Sequence, residues 1–148
     1  MAAQQTILVA ITNTDASMEA VSLAATVSKA RKAHLYLVHV IEVIRSLPLN
    51  AEMEAEARRG EQVIRRAEAV AAEAGCSATG ALVQARDAGT ALVEEAQDQD
   101  AAMIVMGVGR KQNASGFRVG RTIDYVLRNA TCAVWVVRQP EAAENRND

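Results

Sequence analysis

The stretch from Gly107 to Thr122, GVGRKQNASGFRVGRT, concentrates the residue types that hold an anion. Gly107, Gly109, Gly116 and Gly120 are four of the eight glycines in the chain. Glycine lets a backbone approach a ligand closely, and the start of a helix offers N–H groups that have no intrahelical partner. Residues 107–128 carry Arg110, Lys111, Arg118, Arg121 and Arg128 against Asp124 alone, a net charge of +4 in a chain whose total is −2. The stretch follows an apolar run and opens a helical pattern, the setting in which α/β proteins hold phosphate. It has neither the G-x-x-x-x-G-K-[ST] of a phosphate loop nor the G-x-G-x-x-G of a dinucleotide fold, because Gln112 stands where the third glycine of the latter would fall. On composition alone, a solvated loop whose arginines face water accounts for the same residues equally well.

Few other side chains offer chemistry. His34 and His39 share one apolar run without a recognisable ligand set, so no metal site is expected. Ser115 lacks G-x-S-x-G surroundings, and no nucleophile, base and orienting group stand out together, so no enzymatic turnover is expected. Cys76 and Cys132 are too few for a disulfide framework or a four-ligand zinc site and read as reduced thiols of a cytoplasmic protein. Aromatic residues make up 3% of the chain, too few for the stacking platforms of single-strand nucleic-acid binders. The same shortage argues against a sandwiched flavin, and a net charge of −2 does not suit a nucleic-acid-coating protein. No apolar run approaches the roughly 20 residues that span a bilayer, and no basic region precedes the short apolar run at Ile7, so no membrane association is expected.

The elements that must position the 107–122 stretch follow from short apolar runs alternating with longer helical patterns. Ile7–Ile11, Leu35–Ile41 and Met103–Met106 are apolar without alternation, as in strands buried on both faces. A weaker strand falls near Thr79–Ala85, and Ala133–Val137 is a fifth. Helical spacing runs over Asp15–Arg31 with Thr14 or Asp15 as N-cap, and over about Ala51–Ala74 with a break near Gly60 and a stop at Gly75. Glu54 with Arg58 and Glu61 with Arg65 are expected pairs on the wet side of that helix. Asp87 or Thr90 opens a helix to about Gln99, and Thr122–Asn129 forms the last one. Five strands and four helices in this alternation specify an α/β fold: a five-stranded, parallel, doubly wound (Rossmann-like) sheet in an α/β/α sandwich. At 148 residues and 50% hydrophobic, the chain suits one domain, expected over residues 1–139 with a polar tail at 140–148. Ligands in such folds lie beyond the carboxyl ends of the strands, which nominates the loops at 12–15, 41–50, 86–89 and 107–120.

On these residues the chain resembles the universal stress protein family. The likeness runs from Ile7-Leu8-Val9-Ala10 through Val38-His39-Val40 and Met106-Gly107 to Val134-Trp135-Val136-Val137-Arg138. Nucleotide-binding members carry G-x2-G-x9-G-[ST] after the fourth strand. Gly107 and Gly120 match its first and third glycines, the second falls on Arg110 beside Gly109, and the hydroxyl position falls on Arg121 with Thr122 next. Where the family reads Val-Ala-x-Asp-Gly-Ser after its first strand, this chain has Thr12 at the acid position, followed by Asn13 and Thr14. Asp15 comes three residues late and reads as a helix cap.

The resemblance implies a protein that binds ATP, AMP or a related anion and acts in the stress response as a homodimer, with at most slow ATP hydrolysis. Phosphates would lie between Met106, Gly107, Gly109 and Arg110 on one side and the amides of Gly120, Arg121 and Thr122 on the other. Adenine would sit near Thr12, Asn13 and Val40, and the missing acid would make any binding less dependent on magnesium. Family members dimerise through the last strand, so Val134, Trp135 and Val136 are expected at the interface. The alternative is a regulatory or protein-interaction module in which Arg110 and Arg121 close a degenerate site.

Overall fold

The computed structural model describes residues 4–109 and 119–139. The chain runs through β1 (Thr6–Ala10), α1 (Asp15–Arg31), β2 (His34–Glu42), α2 (Glu54–Glu73), β3 (Ala78–Ala85), α3 (Ala88–Asp98), β4 (Ala101–Val108), α4 (Arg121–Asn129) and β5 (Ala133–Arg138). The strands lie in the order β3-β2-β1-β4-β5 and every pairing is parallel. The doubly wound sheet expected from the alternation is the fold.

Strand geometry explains why the central runs are apolar throughout. Successive side chains point to opposite faces, so Ile7, Val9, Leu35, Leu37, Met103 and Val105 pack with α1 and α2. Their neighbours Leu8, Tyr36, Val38, Ile104 and Met106 pack with α3 and α4. β1, paired on both sides, buries Ile7, Leu8 and Val9 completely. The helix buried most deeply is α1, and it turns Ala16, Ala20, Ala24 and Ala25 inward. Those small side chains let its axis lie close to the sheet.

The two sheet edges are treated differently. β3 is weak in composition because it is an edge strand, half exposed along its length. Beyond it, Gln84 Nε2 donates to the carbonyls of Leu49 and Ala51 at 3.0 and 3.1 Å, and Arg86 donates to Ile44 at 2.6 Å, stitching the 43–53 connection to that edge. β5 forms the other edge and leaves Trp135 40% and Val136 36% exposed.

Local boundaries differ from expectation for physical reasons. Residues 48–51 form a turn closed by Ala51 N to Pro48 O at 3.0 Å, so α2 starts at Glu54 rather than Ala51. Gly60 interrupts the apolar spacing but not the helix, since a Cβ there would collide with Leu82 and His39. Glu56 pairs with Arg59 at 3.4 Å, whereas Glu54 and Arg58 form no ion pair, and Glu61 reaches Arg65 only at 4.0 Å. Such exposed pairs contribute a few tenths of a kcal/mol at most. Gly75, at φ +79°, ends α2 as its position suggested. Among the described residues no helix is long and apolar enough to cross a membrane.

Candidate functional site

The strand order reverses at β1: the chain moves outward to β2 and β3, then returns to the other side of β1 for β4 and β5. Connections from β1 and β4 leave toward opposite faces, so the carboxyl ends of these strands stand open. A cleft of about 700 Å³ lies there. Ala10, Val38, Val40, Met106, Leu92 and Ile123 give it an apolar slot, while the starts of α1 and α4 supply its polar ends. Of the residues expected at a ligand, Thr12, Val40, Met106, Gly107, Gly109, Gly120, Arg121 and Thr122 line it.

Hydroxyls hold the β1–α1 turn. Thr14 Oγ1 accepts from Ser17 N at 3.1 Å, and buried Ser17 Oγ accepts from Thr12 N at 2.9 Å. Thr12 Oγ1 and Thr14 Oγ1 are 3.1 Å apart. The position where the family carries an acid is thus part of a neutral, self-satisfied turn, and the cap of α1 is Thr14 rather than Asp15. Asp15 instead pairs with Arg66 at 2.9 Å. Arg66 also donates to Asn13 Oδ1 at 3.1 Å, drawing Asn13 out of the cleft. Asn13 borders a separate groove of about 390 Å³ beside His39, Glu56 and Arg59.

Gly107 is where β4 meets α1. A Cβ there would run into the Ala16 carbonyl and come within 2.9 Å of Ser17 N, both backbone atoms that cannot rotate aside. Gly109 and Gly120 are different: an added Cβ would meet only Gln139 Oε1 at 4.0 Å in the first case and nothing within 4 Å in the second, among the described residues. Gly120 is the N-cap of α4 and brings no side chain to it. The first intrahelical bond is Asp124 N to Gly120 O at 3.0 Å, so the amides of Arg121, Thr122 and Ile123 have no helical acceptor. All three residues line the cleft. The helix dipole adds partial positive charge at this end. Arg128, counted with the basic segment, is clamped to Asp124 at 3.0 and 3.1 Å on the outer face of α4 and does not line the cleft. Arg110, Lys111, Ser115, Gly116 and Arg118 lie outside the described residues.

A third helix start borders the site. Asp87 caps α3, accepting from Thr90 N at 2.9 Å and Thr90 Oγ1 at 2.8 Å. These bonds, with a smaller contribution from the Arg121 guanidinium, hold its carboxyl below the usual value. A depressed folded-state pKa stabilises the fold above the ordinary carboxylate range, and that contribution disappears as the pH falls through the depressed value. Asp87→Ala is expected to cost about 1 kcal/mol at neutral pH. The gap between the thermal midpoints of wild type and variant should narrow below about pH 4, as melts at pH 7 and pH 3 would show.

Sequence reading missed Glu42, Leu92, Ser17 and Gln139, which also line the cleft. Glu42 was within reach, since Val38, Val40 and Glu42 follow one another at the two-residue period of a strand. Gln139 extends the β4–β5 ladder by donating its N–H to Val108 O at 2.8 Å. Among the described residues no three His, Cys, Asp or Glu side chains gather as a metal site. His39 Nδ1 lies 2.9 Å from the Ile11 carbonyl, which can only accept, so the ring is a structural donor.

A parallel sheet wound both ways, with a cleft at its order reversal walled by a close-packed glycine and a helix start free of side-chain caps, defines an α/β protein of the mononucleotide-fold class. Within that class the chain matches the model of the Universal stress protein family over residues 4–138, and it belongs to that family. Universal stress protein MJ0531 of Methanocaldococcus jannaschii is 27% identical over 141 residues, covering 91% of this chain and 82% of that one. A universal stress protein structure from Archaeoglobus fulgidus superposes with a TM-score of 0.77 at 19% identity, covering 91% and 99% of the two chains. One from the same organism in complex with dAMP superposes at 0.73 and 17% identity, covering 93% and 99%.

Proposed function

We propose that this protein binds an adenine nucleotide of the AMP or ATP type in the cleft and acts in the stress response as a cytoplasmic homodimer, without turnover chemistry of its own. The observation that carries this reading is the cleft itself. An apolar slot of Ala10, Val38, Val40, Leu92 and Met106 leads to the open amide end of α4. A planar base fits the first, and a phosphate fits the second. The dAMP complex of a relative with the same fold supports the assignment. Thr12, Val40 and Met106 then border the nucleoside, while Gly107, Gly109, Gly120, Arg121 and Thr122 border the phosphate; Asn13, tied to Arg66, takes no part. Arg121 supplies a charge-assisted bond where relatives have a hydroxyl.

Because Thr12 offers a hydroxyl in place of a carboxylate, the protein has nothing at that position to hold magnesium. Titration calorimetry with AMP and ATP is expected to show binding that persists when magnesium is chelated, and Arg121→Ala should weaken it by about tenfold. An absence of heat with every adenine nucleotide would favour the regulatory-module reading, in which Arg121 closes the site against ligand. We assign the homodimer to β5, whose outer edge pairs with no strand among the described residues and whose exposed Trp135 and Val136 are what a second copy of the strand would cover.

A further inference from the structure

The charged side chains that line the cleft among the described residues are Asp15, Glu42 and Arg121, which sum to −1. A wall of that sign opposes a phosphate. Asp15 is the worse placed of the two acids. It opens α1, and the next residue, Ala16, has its carbonyl against Gly107 at the end of β4. Its carboxylate therefore belongs to the end of the cleft where Gly107 borders the phosphate. Arg66, which does not line the cleft, reaches that carboxylate from α2. Nη2 donates to Asp15 Oδ1 at 2.9 Å, and Nη1 donates to Asn13 Oδ1 at 3.1 Å. Two bonds from one planar group fix the guanidinium against the β1–α1 turn. The other three ion pairs among the described residues each join two side chains of a single helix. Arg66 with Asp15 is the pair that crosses between elements, and it does so at the cleft.

We infer that Arg66 is a positioning residue for the anion site, whose guanidinium cancels the Asp15 carboxylate so that a phosphate reaches Arg121 and the α4 amides without a like charge beside it. This rests on the nucleotide reading given above. An exposed ion pair adds little to the stability of a fold, so the consequence of this one falls on what the cleft holds. With side chains 42% and 78% exposed, both partners stay partly hydrated. The effect on a bound phosphate is therefore several-fold rather than many orders of magnitude, and it is screened by salt. It also scales with the charge of the ligand, which a purely structural contact does not.

The test is calorimetric titration of the full chain, at low ionic strength and with magnesium chelated, against ligands graded in charge: adenosine, AMP and ATP. Arg66→Gln is expected to weaken AMP about fivefold and ATP by more, while adenosine stays within about twofold of its wild-type affinity. Raising the salt to about 0.3 M should shrink the loss for AMP. Adding Asp15→Asn to Arg66→Gln removes the uncancelled carboxylate and should return AMP to within about twofold of wild type. Arg66→Lys keeps the charge and should keep most of the affinity. A residue that merely stapled α2 to the turn would cost adenosine as much as AMP, and the double variant would not recover. Either result, in a wild type that binds, would overturn the role given to Arg66 while the nucleotide reading stood. Asp15→Asn alone leaves the Thr14 cap of α1 in place and gives a second check. With the acid gone, AMP should bind at least as tightly as to wild type, and weaker binding would equally overturn the inference. If wild type bound none of the three ligands, the nucleotide reading and this inference would fall together.

Discussion

Gly107→Ala is expected to lower the thermal midpoint by about 5–10 °C, because the added methyl has no room and no side chain to displace. Its neighbours are the Ala16 carbonyl and the Ser17 amide, backbone atoms in the first turn of α1. Relief requires the end of β4 and the start of α1 to separate. That movement would also disturb buried Ser17, whose hydroxyl receives the Thr12 N–H. The same substitution should therefore weaken nucleotide binding, since both displaced segments line the cleft. Gly109→Ala and Gly120→Ala are the controls. Among the described residues space is open at both, and Gly120 has φ −75°, which any residue adopts. Gly109→Ala should leave the midpoint unchanged, and Gly120→Ala should lower it by less than Gly107→Ala does, since alanine is a poorer N-cap than glycine and puts a methyl into the cleft beside the α4 amides. An unchanged midpoint for Gly107→Ala in a circular-dichroism melt would show that the β4–α1 contact yields easily. The three variants together separate the glycine required by packing from those that keep the site open.

The homodimer proposed through β5 is expected to fall to monomers on Val136→Lys, with association weakened by at least a hundredfold. Val136 sits on the edge strand, 36% exposed, and pairs in register with Met106 of β4. In a two-fold arrangement through β5, the edge of one copy meets the same edge of the other. A lysine there brings two like charges together in an apolar contact and costs several kcal/mol. Sedimentation velocity at micromolar concentration would report the change. A monomeric wild type, or a dimer indifferent to the substitution, would remove β5 from consideration. The other edge makes a poorer interface, because the 43–53 connection is bonded to the side chains of Gln84 and Arg86 there.

What the sequence by itself determined about this protein is local or periodic. The doubly apolar runs at Ile7–Ile11 and Met103–Met106 could be read directly, because a strand buried on both faces has no polar side to alternate with. The caps were narrowed to Thr14 or Asp15 for α1 and to Asp87 or Thr90 for α3, and the structure selects Thr14 and Asp87, each bonded to an amide three residues on. The glycine-rich end of β4 was legible in composition, and Gly107 lines the cleft. Only the tertiary structure decided which of these features share a cleft. Asn13 is turned away by Arg66 from 53 positions along the chain, and Glu42 is fixed by Ala88 from 46 positions along it. Such partners are set by which strand lies beside which, and no spacing along the chain records that. Arg128 makes the same point in reverse: it counts toward the basic segment, but helical geometry places it over Asp124 and off the cleft. Periodicity states which face of an element is buried. Only the strand order β3-β2-β1-β4-β5 states what that face meets.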